Sequence, residues 1–127
     1  MNMQERVYEF SIKDRERLKA VLSYDPYADS SLDQSKLEEI KKDKHANIIF
    51  ARHNCALRDG LQLGLDREKC YLHIKANEGF FHDAEEKLRK EFPHMEKAPA
   101  EVEEKVKRLL EEEESRSNHG VGLIFGD

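Results

Sequence analysis

Phe80, Ala84, Leu88 and Phe92 recur every fourth residue and stop against Pro93. That spacing lines four apolar side chains along one stripe of a helix, and a proline without an N–H ends it. A helix is therefore predicted over 78–92, with Asn77 as its N-cap. Immediately upstream the period changes: Cys70, Leu72, Ile74 and Ala76 alternate, as on one face of a strand over 70–76. A chain that switches between a period of two and one of nearly four has to pack sheet against helix, and this constrains every other assignment.

The opening VYEFSIKD also alternates, with Tyr8, Phe10 and Ile12 opposite Glu9 and Ser11, which predicts a half-buried strand over 5–12. Leu18, Val21 and Leu22 then mark a helix over 13–24, ended by the turn-rich YDPYADSS. Ser31 followed three residues later by Gln34 fits a capping box for a helix over 32–43, which carries Leu32, Leu37 and Ile40. Pro99 suits a first helical turn, and Val102, Val106, Leu109 and Leu110 extend a stripe over 99–114.

Residues 46–61 satisfy both periods. As a helix, Ala46, Ile49, Phe50, His53, Leu57 and Leu61 form a stripe; as a strand, Ile49, Ala51, His53, Cys55 and Leu57 share a face. The β-branched start and the Asp59-Gly60 pair favour a strand over 47–57. Leu61, Leu63 and Leu65 then read as a second strand over 61–65, joined by a three-residue turn with Gly60 left-handed, so that Leu57 faces Leu61 and Cys55 faces Leu63. A further turn at 66–69 completes a meander.

The chain ends in the strand-like segment 118–127, with Val121, Leu123 and Phe125 on one face of a strand over 120–126. The expected architecture is thus a single α+β domain over 1–127: an antiparallel sheet, with about four helices packed mainly on one of its faces. Charged residues make up 39% of the chain, which places a compact core under a heavily charged skin. The abundance of Lys and Glu is a composition enriched in proteins from hot environments, which gives a mild expectation of a thermophilic source.

The net charge is −5, and all of the excess acidity lies in residues 61–127, which argues against a broad nucleic-acid surface there. Two cysteines, with no secretory leader and no apolar run of membrane length, lead to the expectation of a reducing cytoplasmic compartment and no membrane partner.

His53, Cys55, Cys70 and His73 are the metal-ligand candidates. Zinc ligands must converge to within about 2.0–2.3 Å of one ion. The expected meander opposes this, because it puts a strand between the cysteines and points His73 away from Cys70. A hydrogen-bonded histidine and two small core thiols are the favoured reading. Asp25, Asp29 and Asp33 lack the alternating spacing of a calcium loop, and the G-x-G of HGVGLIFG lacks a flanking strand and helix. His82 and Asp83, in a first helical turn, are candidates for a cleft rim, although a plain surface histidine is the commoner case there.

Lys36, Lys41, Lys42, Lys44 and Arg52, with Tyr24 and Tyr27 as stacking groups, form a basic patch, but Glu38, Glu39 and Asp43 interrupt it, so nucleic-acid binding is disfavoured. Glu111–Glu114 at a helix C-terminus oppose the macrodipole and call for a compensating partner. An exposed apolar edge strand is a liability unless it is paired, so Val121, Leu123, Ile124 and Phe125 are the expected partner-binding residues. The expected function is a non-catalytic interaction or assembly module without a cofactor, a homo-oligomer with a dimer as the simplest form. The competing expectations are a metal- or thiol-dependent protein or enzyme using His53, Cys55 and His73, and an RNA- or DNA-binding accessory protein.

Overall fold

The computed structural model describes residues 3–28, 33–43 and 48–126, with side chains as far as Arg116. Its fold is α+β, a four-stranded antiparallel sheet with helices on both faces. Strand β1 (Met3–Ser11) lies inside the sheet, and β3 (Lys69–Asn77) pairs with it along its whole length, Met3 opposite Asn77 and Ser11 opposite Lys69. Strand β2 (Asn54–Asp59) pairs with the far side of β3, and the two-residue β4 (Glu96–Lys97) pairs with β1, giving the order β2-β3-β1-β4.

Because β-strand side chains alternate, each strand serves two surfaces. Tyr8 and Phe10 of β1, Cys70, Leu72 and Ile74 of β3, and Cys55 and Leu57 of β2 pack on one face. Helices α1 (Arg15–Ser23) and α4 (Glu78–Glu91) cover that face through Leu18, Phe81, Ala84 and Leu88. Asn77 caps α4 by accepting from the N–H of Phe80 at 3.0 Å, and the helix ends before Pro93, both as expected. Lys87 of α4 is buried, and its ammonium donates to the carbonyl of Ile48 at 3.1 Å, tying the helix to the segment that leads into β2.

The other face is covered by α5 (Ala100–Gly126). Val7, Leu63, Tyr71, Ala98 and Val106 form a second, smaller core there, flanked by Val102, Leu109 and Leu110. Both sides of β1 are consequently buried: Glu9, expected to face water, is 7% exposed and pairs with Lys69 at 3.1 Å.

Two expected strands are helical. Residues Gly60–Leu63 form the short helix α3, because Asp59 and Gln62 make a reciprocal capping box, and Gly64, with φ of 69°, closes it. Of the alternating leucines, only Leu63 is buried, whereas Leu61 is 74% exposed. With no strand over 61–65, β2 pairs directly with β3, placing Cys55 opposite Ile74 and Leu57 opposite Leu72. The turn expected at 66–69 is present, closed by the Lys69 N–H on the Asp66 carbonyl at 3.1 Å. The ambiguous stretch before it is neither a long helix nor a long strand: Phe50–Arg52 make one 3-10 turn, and the strand begins at Asn54.

The second expected strand, 120–126, belongs to α5. Glutamate is a good helix former and each added residue contributes a hydrogen bond to a nucleated helix, so the glutamate run carries the helix onward instead of fraying it. Glu111–Glu114 therefore sit inside a helix that continues to Gly126, away from its C-terminal dipole. Helix α2 (Gln34–Lys42) is capped by Asp33, which accepts from the Lys36 N–H at 2.9 Å; the expected cap, Ser31, lies outside the described residues. Among the described residues, no helix is long and apolar enough to cross a membrane.

Candidate functional site

The fold separates the candidate ligands His53, Cys55, Cys70 and His73. Before β2, His53 stacks on the Phe80 ring with centroids 3.8 Å apart, and burial lowers its pKa. Cys55 and Cys70 share the large-core face on neighbouring strands, without the intervening strand that the sequence suggested. They are nevertheless four positions out of register, about 13 Å along the strand direction, since Cys55 faces Ile74 and Cys70 faces Asp59. Burial pushes each thiol up to about 11, so both stay protonated and poorly nucleophilic at neutral pH. His73 projects from the opposite face of the sheet.

The basic patch is also divided. Arg52 pairs with Asp25 at 3.1 Å and lies over the Tyr27 ring at 5.1 Å, while Lys87 approaches the Tyr24 ring at 5.4 Å. Both candidate stacking rings thus already have cationic neighbours within the chain. Lys36, Lys41 and Lys42 lie on α2, and Lys44 falls outside the described residues.

His82, Asp83 and Glu86 of α4 are brought together, their donor atoms within 4.8 Å of one another. The i, i+1, i+4 spacing gathers them on one side of the helix, but His82 and Glu86 are exposed, so an ion held there would keep much of its hydration.

The small-core face carries a more enclosed arrangement. Helix α5 crosses the sheet from β1, where Glu103 accepts from the Val7 N–H at 3.4 Å, to β2, where Glu113 pairs with Arg58 at 3.2 Å. Between the helix and the strands lies a cleft of about 540 Å³, with Asn54, Ala56 and Arg58 at its β2 side and Glu111 and Glu114 on its α5 wall. Its floor holds His73, 7% exposed, whose Nε2 lies 2.9 Å from Glu5 Oε1. The sequence reading considered His73 but missed Glu5. The missing information was the register that sets Val7 opposite His73, and so puts Glu5 on the same face one diagonal step away.

The cleft opens toward the edge of the sheet. No described residue pairs with the outer side of β2, whereas on the opposite side β1 is covered over Val7–Glu9 by the very short β4 and by the Ala98 N–H on the Val7 carbonyl at 2.9 Å. One amide of β2 is already committed, since the Asp59 N–H donates to Gln62 Oε1 at 3.1 Å. Arg58 Nη1 donates to the Leu57 carbonyl at 2.9 Å, a partial cover of the kind that limits indiscriminate edge pairing. That leaves Asn54–Arg58 as the usable length of strand.

Val121, Leu123, Ile124 and Phe125, expected to bind a partner as a strand, occupy helical backbone, and their side chains lie outside the described residues. Among the described residues, β2 is the longer of the two edge strands, and it lies within the stretch where the sequence periodicity was most ambiguous. Comparison with protein-family models, with curated proteins and with solved structures finds no match to this chain.

Proposed function

We propose that this protein is a non-catalytic interaction module that assembles through the open edge of β2, in the simplest case with a second copy of itself. The observation that carries this reading is the outer side of Asn54–Arg58, which no described residue pairs, in a sheet whose other edge strand, β4, is only two residues long. Backbone groups along such an edge gain hydrogen bonds when a strand is added, which supplies affinity without a preformed pocket. The dispersal of His53, Cys55 and His73 over two faces supports a binding role over a metal or thiol mechanism. A cytoplasmic setting belongs to the same proposal, because Cys55 and Cys70 are both free thiols.

Light scattering coupled to size exclusion, on the full chain across a hundredfold concentration range, tests the proposal. The expected result is a species of twice the chain mass that reverts to monomer on dilution. Ala56→Glu, which adds a carboxylate on the cleft side of the edge strand, is expected to shift the protein toward monomer while its circular dichroism is unchanged. A monomer throughout, for the unmodified chain, would sink the reading.

A further inference from the structure

We infer that two copies pair β2 against β2 in antiparallel fashion about a two-fold axis through Ala56, placing the partner's Arg58 beside Glu111 and Glu114. This register rests on the reading of the β2 edge as the binding element, and three observations select it.

The first is the usable length of strand. With the Asp59 amide held by Gln62, the stretch whose outward amides are unengaged is Asn54–Arg58, whose middle residue is Ala56; the Leu57 carbonyl accepts from Arg58 Nη1 but keeps a second lone pair for a partner strand. A two-fold axis there pairs every residue of the stretch, Asn54 with Arg58, Cys55 with Leu57, and Ala56 with itself. A register shifted by two residues, with Leu57 at the centre, would require the committed Asp59 amide.

The second is facing. Directly opposed residues of an antiparallel pair point to the same side of the sheet. Asn54, Ala56 and Arg58 face the cleft, while Cys55 and Leu57 face the large core. Pairing about Ala56 keeps both sets in register, so the half-buried Cys55 and Leu57 of the two copies extend one another's apolar surface. A one-residue slip would set charged against apolar positions and is excluded. Alanine at the centre also leaves room on the cleft side, where both copies carry α5.

The third is charge. Glu111 and Glu114 line the cleft with Asn54, Lys75 and Lys107; Lys107 pairs with Glu103 and Glu104, and neither Glu111 nor Glu114 makes an ion pair within 4.0 Å among the described residues. The axis sets the partner's Arg58 opposite Asn54, within reach of those carboxylates. A guanidinium has five donors, so that arginine can hold its own Glu113 and a glutamate across the interface together. The symmetry makes each such contact twice. Glu111 and Glu114 thereby acquire a basic counterpart from a second copy of the same chain.

Single cysteines in a Cys55→Ser background test the register. Directly opposed residues have Cα atoms about 4.5–5.5 Å apart, inside the disulfide range. Ala56→Cys is expected to give a disulfide-linked dimer under mild oxidation for most of the protein. Asn54→Cys or Arg58→Cys alone, with like residues about 13 Å apart, are not expected to cross-link with themselves, but a mixture of the two is. Glu111→Gln with Glu114→Gln should raise the dimer dissociation constant about tenfold, since each lost contact counts twice.

Dimers by light scattering that cross-link at another position would overturn this register while leaving assembly through β2 standing. Dimers that cross-link at none of these positions would overturn the register, since an axis at Leu57, for example, pairs Ala56 with Arg58 and gives no such link; dimers that also ignore Ala56→Glu would overturn assembly through β2. A monomer at all concentrations would end both, so the register can fail while assembly through β2 stands.

Discussion

The hydroxyl of Tyr8 lies in a side chain with no solvent exposure, so it needs a partner inside the fold. It donates to Glu85 Oε1 at 2.5 Å, and Arg6 Nη1 donates to the same oxygen at 3.0 Å while its guanidinium lies 4.5 Å over the Phe81 ring. Burial, followed by the neighbouring carboxylate, drives the Tyr8 phenol far above its ordinary range. For Glu85, burial pulls upward, but the hydrogen bonds from Tyr8 and Arg6 together outweigh it and hold the carboxyl below its usual value. A carboxyl with a lower pKa folded than unfolded contributes stability above its unfolded value, and that contribution is lost as pH falls through the folded value. Glu85→Gln is therefore expected to lose about 1.5–3 kcal/mol at pH 7. The deficit relative to the unmodified chain should shrink below about pH 4, near and below the ordinary glutamate pKa. Urea denaturation at pH 7 and pH 3 measures this, and a deficit independent of pH would contradict it.

Helix α3 shows how one element can be misread while its signals are present. Asp59 and Gln62 have the three-residue spacing of a capping box, and Gly64 stands where a helix C-terminus favours glycine. The same letters also spell an Asp-Gly hairpin turn followed by alternating leucines, and a four-residue helix is too short for its period to compete with that pattern. Strands β1 and β3 and helix α4 were legible because several consecutive residues repeat one period. The tail was not, because its glycines resemble strand punctuation and nothing local reveals that the preceding helix continues. The cleft depended on the β1–β3 register, which single-strand periodicity does not contain. The two α3 glycines have different reasons for lacking a side chain. A Cβ on Gly60 would lie 1.7 Å from the Asp66 carbonyl oxygen, whereas at Gly64 it would meet only Lys105 Nζ at an ordinary 3.7 Å, so that position needs only its positive φ. Gly60→Ala is expected to cost more than about 3 kcal/mol, because backbone has to move. Gly64→Ala should cost about 1 kcal/mol. Equal costs in chemical denaturation would show that the α3 turn is not held by the close approach of Gly60 to Asp66.

The sheet joins two cores of unequal size. Among the described residues, thirteen buried side chains form the cluster under α1 and α4, and five form the cluster under α5. Hydrophobic stabilisation scales with apolar area removed from water, so α5 is held to the sheet less strongly than α4. Local opening should begin there, lifting α5 off Val7 and Tyr71 while the other face stays closed. Hydrogen exchange provides the measurement: amides in 102–110 should exchange through a smaller opening than those in 81–88. Val106, 1% exposed at the centre of the small core, tests the assignment directly. Val106→Ala removes about 2 kcal/mol of packing and should speed exchange in α5 about 30-fold, leaving the opening of 81–88 from the native state much less affected. Equal acceleration in both helices would mean that the two faces open as one unit. If α5 does open alone, the consequence reaches the β2 edge, because Glu111 and Glu114 travel with the helix. Assembly about Ala56 needs them seated beside the edge, so Val106→Ala should weaken self-association even though Val106 lies away from β2.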